Sequence, residues 1–480
     1  MARVVSGCLM AAAACVVGLV AGAPARASDV IAQFQGGSSS QSAFVPPDMG
    51  GGVGGGYVVQ LLNGVATIDT TAGAQVSQTT LNSFFGGIST QLSDPRVIFD
   101  PNSQRWFASA ITVPGGISSN PNSILLAVSA GASPTSGFTT LSFSSSNSNF
   151  ADYPTLGVNN AAVTIGTNDF STSTGNYVAS SLYSVPKSSL TVATPSLTNM
   201  TSFADNTSQI GFTPQAVTNP AAGGTSTSVL STGVDQTGNQ VYALSTVAGA
   251  NAAGAGLSLN ALLSQPFNTS TLVFPTQPGG TSYDPGDTRI SSGAYQAGNN
   301  IYFANTVSNG TSDQIAWNVL NATTNGLTTG LISIAGLNLT YGSISANANG
   351  TFVVSFNGSG SSQNITDYYV ICSSITDSCG TPQVALISSN NNYNITAGGR
   401  NRWGDYSWTT VDPSNPNNFW LFQEYASTIT VNNTPTSTWA TVITEIGTAT
   451  STAAPEPDAV SLLAVGLVGL VALRRRRRTG

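Results

Sequence analysis

A short polar turn followed by an apolar strand recurs along this chain. The clearest copy spans residues 93–113, where the turn at residues 100–105 separates a strand at residues 97–99 from one that begins at Trp106. Six further turns lie at residues 63–64, 159–161, 235–240, 296–300, 346–350 and 412–418. The resulting units are spaced by about 50 to 75 residues. This repeat restricts the chain to folds built from similar β-hairpins.

The length of the repeat predicts the architecture. A period near 60 residues leaves room for four short strands and their loops, as in one blade of a β-propeller. We therefore expect an all-β propeller with seven blades, within a range of six to eight. A strand at residues 438–446 follows the last repeat and is expected to complete a blade begun at the N-terminus. A pair of β-sandwiches is the alternative, but it does not predict seven similar hairpins.

A glycine-rich stretch precedes the first of these strands. Residues 50–52 and 54–56 are all glycine, but no Gly-Lys-Ser/Thr sequence follows them. This argues against a phosphate-binding loop. We expect a plain loop leading into a strand at residues 57–62.

Charge and composition exclude several functions. Residues 29–454 carry 18 acidic and 6 basic side chains, a net charge of −12, which argues against nucleic acid as a partner. The chain has no histidine, which excludes Ser-His-Asp and Cys-His mechanisms and histidine-ligated metals.

The two ends of the chain carry targeting features. Residues 1–27 have the charge, apolar stretch and small-residue cleavage site of a secretory signal peptide. The expected propeller body is 28–447, followed by a linker at 448–454 and a tail at 455–480. Residues 459–473 are apolar or small and predict a transmembrane helix of about 22 Å. The run Arg474, Arg475, Arg476, Arg477 and Arg478 follows it and is expected to stay cytoplasmic.

The tail resembles the PEP-CTERM sorting signal of Gram-negative bacteria. The resemblance rests on Pro455, Glu456 and Pro457, the apolar segment after them and the terminal arginines. It implies export by the Sec machinery, an inner-membrane intermediate, cleavage by an exosortase near the motif, and delivery to the cell surface or extracellular matrix. A permanent, unprocessed anchor is the alternative.

The body is similar to a group of secreted bacterial proteins of propeller fold without a settled activity. The matching stretches include V-P-P-D at 45–48, D-P-R-V-I-F-D at 94–100, D-Y-P-T-L-G-V at 152–158 and W-G-D-Y-S at 403–407. Glycines 54–56 replace the residues usual after Val53. This resemblance supports fold and export more than chemistry.

Two cysteines remain after removal of the signal peptide. Cys372 and Cys379 are close in sequence, and the chain is expected to enter an oxidising compartment. We therefore predict a disulfide across a turn. Two free buried thiols are the alternative.

Rare charged residues recur just before several of the hairpins. Equivalent positions in successive blades should bring them to one end of the central channel. The candidate ligand-binding residues are Asp94, Arg96, Asp152, Asp287, Arg289, Arg402 and Asp405. Such a polar mouth could bind a cation, calcium being the one cofactor considered, or an anionic sugar. Alternatively, the aspartates hold neighbouring backbone N–H groups and the arginines pair with them.

Two functions follow from these features. The favoured hypothesis is a non-enzymatic surface propeller that binds or scaffolds extracellular polysaccharide, and it assigns no catalytic residue. The alternative is a glycan-active enzyme at the propeller mouth, either sialidase-like or a glycosidase with two carboxyl groups. Against a sialidase, the Asp-box motif is absent, and Glu424 and Tyr425 would point to opposite faces of a strand.

Overall fold

The chain folds into successive sheets, most of them built from antiparallel strands that are consecutive in sequence, and the last of them also takes in the N-terminal strand. The computed structural model describes residues 29–448, except positions 222, 235–236, 238, 266, 268–270, 387–391 and 432–433. The helices in this part of the chain are single turns: α1 (Leu81–Phe84), α2 (Lys187–Leu190), α3 (Thr207–Ile210) and the 3₁₀ turns Pro134–Ser136 and Ser146–Ser148. The expectation of an all-β fold of the propeller type is confirmed.

The first three sheets follow the N-terminal strand β1 (Val30–Ser38) in chain order. The first contains β2 (Gly50–Gly54), β3 (Tyr57–Leu62), β4 (Val65–Thr70) and β5 (Gln75–Thr80). The second contains β6 (Leu92–Asp100), β7 (Arg105–Thr112), β8 (Ser123–Ser129) and β9 (Phe138–Ser144). The third contains β10 (Phe150–Asp152), β11 (Gly157–Val158), β12 (Ala162–Phe170), β13 (Tyr177–Pro186) and β14 (Thr201–Phe203).

The fourth sheet has eight strands in two antiparallel halves. One half is β15 (Phe212–Thr218), β16 (Thr227–Val234), β17 (Gln240–Ala248) and β18 (Gly256–Ser264). The other half is β19 (Ala294–Ala297), β20 (Asn300–Ser308), β21 (Asp313–Asn321) and β22 (Leu327–Ile332). A short parallel pairing of β15 with β19 joins the halves. The fifth sheet is β23 (Asn338–Ala346), β24 (Thr351–Gly360), β25 (Gln363–Ser373), β26 (Ser378–Cys379) and β27 (Gln383–Leu386).

The last sheet joins the two ends of the described chain. The two-stranded ribbon of β28 (Thr396–Ala397) and β29 (Arg400–Asn401) precedes it. Its own strands are β30 (Trp408–Val411), β31 (Asn418–Val431) and β32 (Thr434–Gly447), with β1 at the outer edge. Because β32 pairs with both β31 and β1, the C-terminal strand completes a sheet together with the N-terminal one.

The glycine-rich stretch is a buried strand and not the expected loop. Residues 50–54 form β2 and are fully enclosed. A Cβ atom on Gly51 would lie 2.4 Å from the ring of Phe422, and one on Gly54 would lie 2.1 Å from the ring of Phe99. The glycines therefore let this strand pack closely between aromatic side chains of its neighbouring sheets.

Backbone irregularities mark the start of several of the strands that lead their sheets. Asp94, Tyr153, Thr213 and Tyr341 have φ between 54° and 57°, and Asp48, just before β2, has φ 40°. The pairing register shifts at three of these places, in β6, β15 and β23. Bulges of this kind redirect side chains. Here they occur together at the end of the molecule that carries the polar site described below.

The predicted disulfide is confirmed. Cys372 and Cys379 are directly opposite each other on β25 and β26, and their Cα atoms are 4.0 Å apart.

Among the residues described, no helix is long and apolar enough to cross a membrane. The predicted signal peptide, the sorting motif, the apolar segment at 459–473 and the five terminal arginines lie outside the described residues.

Candidate functional site

Two cavities lie at opposite ends of the strands that lead each sheet. One, of about 320 Å³, has a mainly apolar lining and lies among the hairpin turns that carry Asp100, Gln296 and Asp412; we call it the tip cavity. The other, of about 500 Å³, is the mouth cavity, and it has a polar lining. Both volumes lie in the usual range of ligand sites. The mouth cavity is the candidate functional site because charged side chains converge there.

Six of the seven predicted ligand-binding residues line the mouth cavity: Asp94, Asp152, Asp287, Arg289, Arg402 and Asp405. Asp94 and Asp152 come from the starts of the second and third sheets. The other four come from two long connections, between β18 and β19 and between β27 and β30. Their role in ligand binding stays a prediction.

Arg96 does not line the cavity, contrary to the expectation that it faces the mouth. It is 1% exposed and lies beneath the cavity, where Nη2 donates to the Ser291 carbonyl at 3.2 Å. Its Cζ is 3.4 Å from the ring centroid of Tyr406 and 5.0 Å from that of Tyr153. The bulge in β6 separates Arg96 from Asp94 on the mouth side, which proximity in sequence could not reveal.

The arginines of the mouth cavity are held by aspartates of the same cavity. Arg402 donates to Asp405 at 2.5 Å and to Asp284 at 3.2 Å. Arg400 forms a second ion pair with Asp284 at 2.7 Å. Because Asp284 lies in one long connection and both arginines lie in the other, these pairs tie the two connections together.

A separate ion pair holds the edge of the cavity. Arg289 donates through Nε and Nη2 to both carboxylate oxygens of Asp287. Burial opposes ionisation of Asp287, but the Arg289 guanidinium lowers its pKa below the usual value. Asp287 is therefore a carboxylate at neutral pH.

Other acids of the cavity hold their protons more tightly. Burial, with the neighbouring Asp94 and Asp405, raises the pKa of Asp152 to about 8. Burial and Asp405 also raise the pKa of Asp94, which accepts hydrogen bonds from Ser93 Oγ at 2.9 Å and from the Tyr153 backbone N–H at 3.1 Å. Carboxyl groups that cannot all ionise together are a feature of sites that transfer protons.

Asp48 joins this group from the segment before β2. Its carboxylate oxygens accept the Asp405 backbone N–H at 3.0 Å and the Asn63 amide at 2.8 Å. Burial, followed by Asp405 and Asp94, raises the pKa of Asp48 well above its usual value. Asp48 thus links the start of the first sheet to the loop that carries Asp405.

Glu424 lies behind that loop and does not line the cavity. It is 1% exposed, and neither carboxyl oxygen has a hydrogen-bond partner among the described residues. Burial, together with Asp48 and Asp367, raises its pKa well above the usual value. A Cβ on Gly404 would lie 3.2 Å from Glu424 Oε2, so the glycine of the W-G-D-Y-S stretch lets the loop pass close to this acid.

Sequence patterns did not place Asp48, Asp284 or Arg400 in the site, and Glu424 was considered only together with Tyr425 as a sialidase pair. Two signals were present. Asp48 ends the V-P-P-D stretch, and Arg400 is one of only six bases between residues 29 and 454, two positions from Arg402. Asp284 and Glu424 gave no comparable signal, because their positions depend on loop and strand packing.

The possible metal ligands among the described residues do not form a metal centre. No group of three or more His, Cys, Asp or Glu side chains in this part of the chain is arranged to hold a metal ion. The aspartates of the mouth cavity instead contact arginines and backbone N–H groups, and they raise one another's pKa values. Their arrangement is suited to proton transfer.

Comparison with known proteins gives similarity of fold only. No protein-family model matches the chain, and no curated protein sequence matches it. An α-L-arabinofuranosidase from Fusarium graminearum is similar in structure, with 7% identity, coverage of 86% of this chain and 98% of the other, and a TM-score of 0.42. A Penicillium chrysogenum α-L-arabinanase gives 10% identity, 86% and 98% coverage, and a TM-score of 0.38. A Dyadobacter fermentans protein of unknown function is 10% identical, with coverage of 73% of this chain and 94% of the other and a TM-score of 0.41.

These comparisons correct the favoured functional hypothesis. The structural neighbours are mainly glycoside hydrolases, including the two fungal enzymes above. These neighbours do not support the favoured prediction of a non-enzymatic scaffold, or the expectation that an enzyme is the less favoured case, and they agree better with the alternative of a glycan-active protein. The missing histidine does not argue against this alternative, because buried carboxyl groups can supply acid–base chemistry without it.

Proposed function

We propose that this protein is a glycoside hydrolase in which Asp152 and Asp405 of the mouth cavity are the catalytic carboxyl groups. The observation that carries the proposal is the difference between the surroundings of these two acids. Asp152, with a pKa of about 8, retains its proton at neutral pH. Its neighbour Asp405 forms an ion pair with Arg402 at 2.5 Å. A glycosidase needs one carboxylic acid and one carboxylate at the same bond.

The two groups would divide the reaction as follows. Asp152 donates its proton to the glycosidic oxygen as the bond from that oxygen to the anomeric carbon breaks. Asp405 stabilises the positive charge that develops on the sugar ring, and either activates a water molecule or attacks the anomeric carbon directly. Water supplies the hydroxyl of the released sugar. Its other proton returns to Asp152 directly if Asp405 is the nucleophile, and by way of Asp405 if Asp405 is the base that activates the water.

The surrounding residues would keep the two groups in these states. Arg402 holds Asp405 from one side, and the Asp405 backbone N–H is fixed by Asp48. Asp94 lies close enough to raise the pKa of Asp152, so that this acid stays protonated until the substrate accepts its proton. Fixed charges in a partly enclosed cavity need little reorganisation during the reaction.

A sialidase-like activity is less well supported. It needs arginines that are free to bind a sugar carboxylate. In the mouth cavity Arg289, Arg400 and Arg402 are each paired with an aspartate. An uncharged glycan is a better match for this cavity.

The decisive experiment compares leaving groups. Asp152→Asn should lower kcat on unactivated oligosaccharides by about 10²–10⁴-fold, because the leaving oxygen then departs without a proton. On dinitrophenyl glycosides, whose leaving group needs no proton, the loss should be much smaller. Asp405→Asn should reduce the rate on both substrates. Equal losses for Asp152→Asn on both substrates, or no hydrolysis of any glycoside by the native chain, would refute the proposal.

We also propose that the propeller has seven blades. In this interpretation each half of the eight-stranded sheet is one blade. The fifth sheet and the closing sheet supply two more, and the first three sheets supply the rest.

The targeting features remain a proposal as well. We propose Sec-dependent export and sorting by an exosortase, on the strength of residues 1–27 and the tail at 455–480. The last described residue, Thr448, lies at the end of the molecule opposite the mouth cavity. Its backbone N–H donates to the Asn417 carbonyl at 2.7 Å, next to Pro416, which lines the tip cavity. Mass spectrometry of surface material should find a C-terminus near residue 457. Recovery of an intact arginine run would refute processing.

A further inference from the structure

A third cavity adjoins the mouth cavity at the Asp287–Arg289 pair. This side pocket, of about 550 Å³, is lined by Asp287, Thr288 and Arg289 together with residues of the third and fourth sheets. Asp287 and Arg289 line the mouth cavity too. The ion pair is therefore a shared wall between two adjoining spaces.

Aromatic rings continue from the mouth across this wall. The Arg289 Cζ is 4.6 Å from the ring centroid of Tyr153 on the mouth side and 5.0 Å from that of Phe212 on the side-pocket side. The Phe212 ring in turn meets Tyr177 edge to face, with centroids 5.2 Å apart. Tyr177 and Phe212 are both partly exposed and line the side pocket.

Polar groups accompany these rings. Thr207, Thr232 and Gln240 contribute hydroxyl and amide groups to the lining of the pocket. Arg289 uses Nε and Nη2 for Asp287, and Nη1 makes no hydrogen bond within the described residues. Rings with an accessible face beside a few hydrogen-bonding groups are suited to sugars, which have apolar C–H faces and hydroxyl edges.

The charged residues of the two adjoining cavities indicate whether the sugar chain is charged or uncharged. Six aspartates and three arginines line the mouth cavity, and each of the arginines is paired. The side pocket adds no charged residue beyond the shared Asp287 and Arg289. Because every one of these arginines is already paired with an aspartate, none is free to hold the carboxylate of an anionic sugar chain.

We propose that the side pocket is a subsite for an uncharged glycan chain, so that the substrate is a polymer several sugars long that extends from the mouth cavity over Arg289 onto Phe212 and Tyr177. This inference rests on the proposed glycosidase function. Leu259 and Leu262, 37% and 48% exposed, form an apolar border of the same pocket. They would contact the sugar faces that Tyr177 does not cover.

The test measures binding separately from turnover. Linear arabino- and xylo-oligosaccharides of two to six sugars are titrated calorimetrically into the full chain carrying Asp152→Asn, which blocks hydrolysis. We expect Kd to fall as the chain lengthens past the sugars that the mouth holds. Adding Tyr177→Ala should weaken binding of the hexasaccharide about tenfold and leave the disaccharide unchanged.

Two further variants make the result specific. Tyr177→Phe keeps the ring and should restore the length dependence. Phe274→Ala, which removes a 49% exposed ring outside both cavities, should leave the length dependence as it is. Length-independent binding, absence of binding at every length, or the same length dependence with Tyr177→Ala would each overturn the proposal. So would a concentration-dependent dimer that Leu262→Asp abolishes, because a second copy would then occupy the pocket.

The outcomes separate this proposal from the proposed function. If the native chain hydrolyses glycosides but binding does not depend on chain length, the proposed glycosidase function stands and the proposed subsite is refuted. If binding depends on chain length but the native chain hydrolyses no glycoside, the proposed subsite stands and the proposed glycosidase function is refuted.

Discussion

The Arg96 guanidinium lies over the ring of Tyr406, with Cζ 3.4 Å from the ring centroid. Tyr406 donates its hydroxyl to the Pro95 carbonyl, and Trp408 of the tip cavity packs on the same guanidinium at 5.3 Å. Tyr153, on the other side, belongs to the mouth cavity. Arg96 and these aromatic rings therefore separate the two cavities.

Arg96→Ala should be strongly destabilising. It would leave a cavity among three aromatic rings and remove one of the two donors to the Ser291 carbonyl, the other being the Tyr153 hydroxyl. Because the cost comes from the emptied space among the rings, we expect a loss of about 2–4 kcal/mol in the free energy of unfolding, measured by urea denaturation. Arg105→Ala, at a half-buried hairpin position, is the control and should cost clearly less. A loss below about 1 kcal/mol for Arg96→Ala would contradict this structural role.

The activity of the native chain should fall as pH rises through about 8. Asp152 must carry a proton to act as an acid, and its pKa is raised to about 8 by burial and the neighbouring Asp94 and Asp405. The pH dependence of kcat measures this directly. Asp377→Asn, at an exposed turn, should leave the profile unchanged. An alkaline limb that persists in the residual activity of Asp152→Asn would mean that another group is the acid.

Glu424→Gln should stabilise the protein at pH 8 and have little effect at pH 4. The folded-state pKa of Glu424 is raised, so the favourable contribution of this group is complete below its unfolded pKa and is lost as pH rises. An amide of the same shape does not ionise. We expect a gain of about 1–3 kcal/mol at pH 8, measured by thermal unfolding at both pH values. A gain of the same size at pH 4 would show that ionisation is not the cause.

Gly51→Ala should disrupt the packing of β2 against the closing sheet. The added methyl would lie 2.4 Å from the ring of Phe422, which is fully buried and cannot move aside easily. We expect a loss of about 1–3 kcal/mol. Gly256→Ala is a matched control, since a methyl there meets nothing within 4 Å. Equal unfolding free energies for the two variants would contradict the close packing.

Reduction of the Cys372–Cys379 disulfide should lower stability by about 2 kcal/mol. The bond closes a short loop, with a sequence separation of 7, which restricts the unfolded chain only modestly. Thermal unfolding with and without a reducing agent measures the effect. The double variant Cys372→Ala/Cys379→Ala should be insensitive to the reducing agent. If it shifts as much as the native chain, the reductant acts elsewhere.

The sequence by itself determined the β-rich fold, the repeated hairpins and the disulfide. These are local properties: strand and turn propensities act within a few residues, and Cys372 and Cys379 face each other across one short turn. It also placed Asp94, Asp152, Asp287, Arg289, Arg402 and Asp405 near one end of the molecule, because equivalent positions in a repeat share a location.

Only the tertiary structure decided what those residues do. The bulge in β6 sends Arg96 into the aromatic cluster, although Asp94, two residues earlier, lines the mouth. Asp48 approaches Asp405 from the N-terminal part of the chain, and Glu424 is brought behind the same loop by the strand β31. The pKa values of these acids depend on burial and on those approaches. Such long-range contacts arise from the packing of whole sheets and loops. Local sequence patterns could therefore reveal the acids but not their protonation.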